Sequence, residues 1–303
     1  MNQLAIIIPY YKIDFFEETL KSVAAQTNQN FTLYIGNDAS PNNPLPIIDK
    51  YFKKNSYNYF EYKSNIGGQN LALQWERILE NVQEEWVQIL GDDDCISPDF
   101  VEEFHNILPS VQKNGIALIK CGQQWIDENN NHLESHIYNF DKVSAAEIFI
   151  KKYKGEIRSS LSENIYQTQI VKKQKFVKLP LAWGSDDLSL LDFSKNGHIQ
   201  YIPKLLVSVR VSAESISGSN QYEKLKKQAI YQLQERIICQ FSDNLPDSFV
   251  EEVIENYLNT SYYENSKVNI KVVFYYLKKF QIKQFLKAVR KIYYINKKAQ
   301  QSS

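Results

Sequence analysis

The chain has no run approaching the roughly 18 consecutive apolar residues that a bilayer-spanning helix requires, so no such helix is expected. Cysteine occurs only three times, at Cys95, Cys121 and Cys239; the odd number and wide spacing exclude a disulfide framework and suit reduced thiols in the cytoplasm. Those cysteines and the four histidines show no zinc-type spacing. No G-x-G-x-x-G follows any apolar run, which argues against a nicotinamide-dependent dehydrogenase. The first residues lead straight into an apolar strand, with no basic n-region and no cleavage site, so no secretory leader is expected. Acidic residues are missing from 266–303, where ten lysines and arginines stand. The chain as a whole carries 35 basic and 35 acidic residues, so residues 1–265 have a net charge of −10 and the tail +10.

What is present is an ordinary globular composition, 43% hydrophobic and 23% charged, with an aromatic share of 13%. At 303 residues the chain can form one large α/β domain with an appendage, or two small domains. Residues 4–8 are a continuous apolar run closed by Pro9, the pattern of a strand buried on both faces. Helical spacing follows over 14–27 with Asp14 as cap, then a strand over 31–36 that runs into the turn residues Asn37-Asp38-Ala39-Ser40-Pro41. The alternation continues with a helix at 44–54, a short strand at 59–62, a helix at 70–82, a strand at 86–90 and a helix at 98–108. This order predicts a doubly wound, mainly parallel sheet. Further strands are expected at 116–126, 199–202 and 205–211, while 127–165 is polar and poorly periodic. From about residue 222 the pattern is helical.

Three consecutive aspartates, Asp92, Asp93 and Asp94, end the apolar run Trp86–Gly91. Three carboxylates at one strand end repel one another unless a cation or donor groups neutralise them, and hard divalent cations take such oxygens. Open α/β sheets also bind ligands at the carboxyl ends of their strands. The alternative is a turn and capping cluster before the helix at Pro98, although Ser97 already supplies a cap there. The triplet points to an enzyme handling a phosphorylated substrate with a divalent metal.

Other features stand in a fixed order around it. They are the Pro-aromatic turn Pro9-Tyr10-Tyr11-Lys12, the acidic loop Gly36-Asn37-Asp38-Ala39-Ser40, and Asn65-Ile66-Gly67-Gly68. Gly91-Asp92-Asp93-Asp94 follows, then Trp183-Gly184-Ser185-Asp186-Asp187 and the Arg-centred segment Val209–Ser217. In this order they resemble the family 2 glycosyltransferases, inverting enzymes of the GT-A fold, over about residues 3–218. The resemblance implies a GT-A catalytic domain at 1–218 and a helical C-terminal region at 219–303 with a basic amphipathic tail. It also implies metal-dependent transfer of a sugar, with inversion, from a nucleotide-diphosphate donor of the UDP-sugar type. The acceptor would be a hydroxyl of a glycan or lipid-linked molecule in cell-surface polysaccharide synthesis, and the location the cytoplasm or the inner face of the cell membrane.

Residue by residue, the resemblance makes Asp93 the principal ligand of Mg²⁺ or Mn²⁺, with Asp94 supporting the metal and Asp92 facing the ribose or the metal's waters. Asp38 would accept from the uracil ring, unless it only forms a turn into Pro41. Pro9 and Tyr11 would shape the nucleotide pocket, although a tyrosine in so aromatic a chain equally suits the core. Asn65, Gly67 and Gly68 would let the backbone approach the nucleotide, or form an ordinary tight turn. Many relatives carry an arginine near this loop; Arg77 is the nearest here and lies well along the next helix. The catalytic base, which takes the proton of the acceptor hydroxyl, is Asp186 by ungapped counting from Gly197 and Asp187 with a one-residue gap. The pair could also simply cap the helix that follows. Arg210 either contacts phosphate or lies in a salt bridge, and Ser212 stands where relatives often have a histidine. That substitution, with Asn37 for the commoner aspartate, keeps a catalytically degenerate sugar-nucleotide-binding subunit in view. A nucleotidyltransferase is the other rival, but the loop after the first strand lacks glycine.

In the tail, apolar residues at helical spacing alternate with lysines over 266–298. This suits either an interfacial helix on anionic lipid or helices packed on the body with solvated lysines. No recognition motif supports nucleic acid as a partner.

Overall fold

The computed structural model describes residues 2–195, 197–212, 221–264 and 266–301. The end of the Arg-centred segment, 213–217, and the expected domain boundary at 218 lie outside the described residues. The chain divides into two compact units, Met1–Glu223 and Lys224–Ser303.

The first unit is built on one sheet of ten strands: β1 (Leu4–Tyr10), β2 (Phe31–Asn37), β3 (Tyr57–Glu61), β4 (Trp86–Ile89), β5 (Cys95–Ile96), β6 (Leu118–Ile126), β7 (His132–His136), β8 (Lys142–Ser144), β9 (Asn164–Gln167) and β10 (His198–Arg210). The strand order is β3-β2-β1-β4-β9-β6-β10-β5, with β7 on β6 and β8 on β10. The first four strands pair in parallel, as alternating strands and helices require. Beyond β4 the sheet is mixed, because β9 enters antiparallel to both β4 and β6. The polar stretch 127–165 therefore holds β7, β8, the helix Ala145–Tyr153 and the start of β9. The two strands expected at 199–202 and 205–211 are one, β10, with a register shift between Ile202 and Leu205.

Alternate residues of β1 feed two cores. Leu4, Ile6, Ile8 and Tyr10 pack with Phe16, Leu20, Val23, Phe100 and Phe104 of two helices. Ala5 and Ile7 pack on the other face with Ala72, Trp75 and Ile78. Burying each such isoleucine contributes about 1.5–3 kcal/mol. The helix Leu71–Leu79, capped by Asn70 Oδ1 accepting from Ala72 N–H at 3.0 Å, comes close to β2 at Gly36, where any side chain would collide with Ile78. Asp14 and Ser97 do not cap: the helices after them begin at Phe16 and Phe100, and Ser97 donates to Asp99 Oδ1 at 2.6 Å.

The second unit is helical: Glu223–Arg236, a widened turn at Ile237–Phe241, then Asp247–Tyr263, Phe274–Lys278 and Ile282–Gln301. The last helix buries Ala288, Ile292, Ile295 and Ala299 and packs on Asp247–Tyr263.

Candidate active site

Because β2, β1 and β4 are parallel neighbours, the loops after Tyr10, Asn37 and Ile89 open at the same edge of the sheet. Asp92 folds toward the first of them: its Oδ2 accepts from the N–H of Tyr11 at 2.7 Å and of Lys12 at 2.8 Å. Asp94 turns the other way. Its Oδ1 accepts from the Arg210 N–H at 3.0 Å and its Oδ2 from the Ser162 hydroxyl at 2.5 Å. Ser162 Oγ in turn accepts from the Gly91 N–H at 3.1 Å. Among the described residues no other residue hydrogen-bonds the Asp93 carboxylate; only its backbone carbonyl is held, by Arg210 Nε at 3.0 Å.

All three carboxyls are pushed above the usual carboxylate range. Burial is the first cause in each, and the neighbouring Asp93 the second for Asp92 and Asp94. A cation would relieve this. No group of three or more His, Cys, Asp or Glu side chains among the described residues forms a metal cage. Asp93, with Asp92 beside it, is instead the sparse hard-oxygen donor set that suits Mg²⁺ or Mn²⁺ when water and phosphate oxygens complete the shell. Asp94, expected as a metal support, has both oxygens engaged by Arg210 and Ser162.

Arg210 is not at an open phosphate position. It is 1% exposed, and besides Asp93 it donates to the Asp127 carbonyl at 2.7 Å, Asn130 Oδ1 at 2.9 Å and Glu18 Oε2 at 2.6 Å. Its guanidinium lies 4.2 Å from the Phe15 ring centroid. A planar fork with this many protein partners clamps the acidic turn from behind, so of the two readings that the sequence leaves open for Arg210 the structure has the salt bridge, with Glu18.

At the end of β2, Asp38 is buried and its carboxylate gathers the loop 65–68. It accepts from the N–H of Ile66 at 3.0 Å and of Gly67 at 2.8 Å. A Cβ on Gly67 would sit 2.5 Å from Asp38 Oδ2, so only glycine permits this approach. Asn65 Oδ1 caps the same turn by accepting from the Gly68 N–H at 2.5 Å. Arg77, set aside on sequence distance, reaches Asp38 Oδ1 at 2.5 Å, with its guanidinium 3.5 Å from the Tyr62 ring centroid. Two helical turns and the close approach at Gly36 bring it there; the signal was its register on the helix, not its distance from the loop. Pro9, the penultimate residue of β1, lies beside Gly36, and Tyr11 is 40% exposed at this edge, its carbonyl accepting from Ser40 Oγ at 2.6 Å.

Asp186 and Asp187 occupy the first turn of the helix Ser185–Phe193. That helix starts from a strained turn: Leu181 and Ala182 have φ of 58° and 53°, and Gly184 has φ of 87°. Asp187 lies 3.7 Å from Lys152 Nζ. Burial first, then Asp187, push the Asp186 carboxyl up to about 7, against the opposing pull of Lys152. A half-buried carboxyl poised there can accept a proton at neutral pH. Helix capping does not explain the pair, since no side-chain cap bond forms at this terminus.

The glycosyl transferase family 2 model matches residues 5–177, which spans both the Asp38 loop and the acidic tip. An uncharacterised glycosyltransferase of Rickettsia typhi is 30% identical over 131 residues, 43% of this chain and 39% of its own length; another, of Rickettsia conorii, is 32% identical over 131 residues and 21% of its length. The chain thus spans well under half of these relatives. Among solved structures, S. aureus TarS 1–349 in complex with UDP-GlcNAc superposes with a TM-score of 0.65 at 16% identity, covering 98% of this chain and 88% of that one. The same protein in complex with UDP gives 0.59 at 18% identity, covering 99% and 92%. With a GT-A sheet, an acidic tip at the end of its fourth strand and a family match over more than half its length, the chain belongs to glycosyl transferase family 2.

Proposed function

We propose that the protein transfers a sugar, with inversion, from a uridine-diphosphate donor to a hydroxyl of a glycan or lipid-linked acceptor. The observation that carries this reading is the partly buried acidic tip, in which Asp92 and Asp94 are tied down while the Asp93 carboxylate takes no hydrogen bond from another described residue. Asp93, with Asp92, would hold Mg²⁺ or Mn²⁺, which when bound stabilises the charge that develops on the leaving diphosphate. Asp38, Arg77 and the amides of 65–68 form the base-binding end, and the UDP-GlcNAc and UDP complexes of S. aureus TarS, the structural neighbour, support a uridine donor. Asp186 takes the acceptor hydroxyl's proton as its oxygen bonds the anomeric carbon from the face opposite the nucleotide; the nucleotide leaves with the electrons of the broken bond. Lys152 beside Asp187 keeps the pair from being doubly repulsive.

The test is a panel of nucleotide sugars assayed for nucleotide release with Mn²⁺ or Mg²⁺, alongside calorimetry with UDP and Mn²⁺. Turnover with a UDP-sugar that Asp93→Ala abolishes is the expected result. UDP binding without turnover on any donor and acceptor would leave a binding subunit, and binding indifferent to metal would remove the role given to Asp93.

A further inference from the structure

The helix Ile282–Gln301 has one face packed inward, through Ala288, Ile292, Ile295 and Ala299. Its opposite face is composed in an unusual way. At 100° per residue, Ile282, Tyr293, Leu286, Lys297, Arg290, Lys283, Tyr294 and Lys287 follow one another around the outer half of the cylinder, with Gln300 and Gln301 sharing this arc in the last turn, and all eight are exposed. Four are apolar or aromatic, four are basic, and no acidic residue occurs anywhere in the helix. Immediately before it, Phe280 stands at a turn with φ of 57° and is 90% exposed. Phe274 and Leu277, on the short helix just upstream, are exposed as well.

Ordinary solvated faces interleave both signs of charge, and ordinary apolar faces pack. This one does neither. The lysines that do have acidic partners, Lys278 with Asp243 and Lys279 with Asp247, precede the helix, on the side of the Phe280 turn toward Phe274–Lys278. Lys291 and Lys298 bond Asn259 and the Tyr262 carbonyl of the supporting helix at 2.8 and 3.0 Å. The outward set is what an interfacial helix needs: apolar side chains to enter the acyl boundary, tyrosines at headgroup depth, and cations to meet anionic headgroups. Among the described residues no helix is long and apolar enough to cross a membrane.

We infer that the outer face of Ile282–Gln301, with the Phe280 turn at its start, docks on an anionic lipid bilayer. The charge complementarity selects the occupant: a neutral apolar partner would leave four cations uncompensated, and a soluble polyanion would leave Phe280, Ile282 and Leu286 in water. Removing each interfacial cation should weaken partitioning about fivefold. The inference does not depend on which sugar or acceptor the site uses.

The experiment is co-sedimentation of the full chain with vesicles of phosphatidylcholine alone and of phosphatidylcholine with phosphatidylglycerol, at low and high salt. Binding is expected only to the anionic vesicles, weakened by salt. The variant Lys283→Glu/Lys287→Glu/Arg290→Glu should lose at least on the order of a hundredfold in partitioning, since it reverses three charges instead of only removing them. Phe280→Ser/Leu286→Ser should also bind more weakly, since it removes the inserting groups. All five positions are exposed, and thermal unfolding checks that each variant is folded. Equal binding to both vesicle types, or none to either, overturns the inference. So does undiminished binding of the Phe280/Leu286 variant, which would mean that charge alone is read. Lipid-independent dimerisation that either variant abolishes would assign the face to a second copy instead.

Discussion

Ser162 and Asp94 share a hydrogen bond of 2.5 Å that fastens the acidic tip to the segment leading into β9. The same segment fixes the helix that bears the proposed base. Tyr166 of β9 meets Ser189 Oγ at 3.0 Å, and Ser189 donates to the Asp186 carbonyl at 2.6 Å. Just upstream, the Ser159 carbonyl accepts from Lys152 Nζ at 2.7 Å, and Lys152 pairs with Asp187. The carboxylates proposed for donor and for acceptor are thus both braced by residues 159–167.

Ser162→Ala removes a donor to Asp94 and an acceptor for the Gly91 N–H together. Leaving these buried groups short of a partner should cost about 1–3 kcal/mol of stability, readable as a lower denaturation midpoint. Manganese-dependent UDP binding should weaken about tenfold as the turn loosens, equivalent to about 1.4 kcal/mol. Calorimetry that finds both quantities unchanged would show that the bond does not hold the tip.

Arg77→Ala leaves Asp38 with its two backbone donors and strips a cation from the nucleotide end. Donor KM should rise about tenfold while kcat at saturating donor stays near the parent value, the pattern of lost uniform binding. Arg77→Lys keeps the charge but gives up the fork and the stacking on Tyr62, so its kinetics should lie closer to those of the alanine variant. A kcat defect at normal KM would place Arg77 in the chemical step instead.

How much of this was legible differs by region, for physical reasons. The runs of β1, β2 and β4 are mostly apolar because both faces are covered, and their turns carry distinctive residues, so the parallel half of the sheet and the Asp38 and Asp92–Asp94 loops read directly. β9 did not. Its neighbourhood buries Gln88, Lys120, Ser162, Glu163 and Asn164, residue types that read as solvent-exposed until their partners across the sheet are known. Arg77 lies far from the loop in linear distance, and only its register on the helix Leu71–Leu79 brings it to Asp38. For Arg210 the sequence leaves phosphate contact and a salt bridge equally open, because its acceptors, Asp127, Asn130 and Glu18, come from segments whose meeting the sequence does not display.

The Asp186 carboxyl, raised to about 7, must be ionised to act as base, so transfer should rise with pH through that region and level off above it. Burial is the largest cause of the shift and Asp187 the second; Lys152 opposes them. Asp187→Asn should therefore move the rising limb to lower pH, and Lys152→Met should move it higher. Asp186→Asn should abolish transfer while UDP binding persists. If Asp187→Asn is the inactive variant and Asp186→Asn retains turnover, the one-residue gap is correct and the base is Asp187.

Lys120 and Glu163 form an ion pair that is 1% exposed on both sides, at the start of the bracing segment. Lys120 Nζ also donates to Ser159 Oγ at 2.8 Å, and Glu163 Oε2 accepts from the Ser160 N–H at 3.0 Å and its hydroxyl at 2.6 Å. Removing one partner, as in Lys120→Met, leaves a buried uncompensated charge and should cost about 3–5 kcal/mol. Replacing both, as in Lys120→Met/Glu163→Leu, should recover most of that stability, since apolar groups of similar volume need no counter-charge. The double variant then separates two roles. If the pair only stabilises, turnover returns with the melting temperature. If it also sets the path of 159–163, as its bonds to Ser159 and Ser160 indicate, the refolded double variant should keep a low kcat with donor KM near the parent value. Parent-like kcat in a stable double variant would reduce the pair to an element of the core.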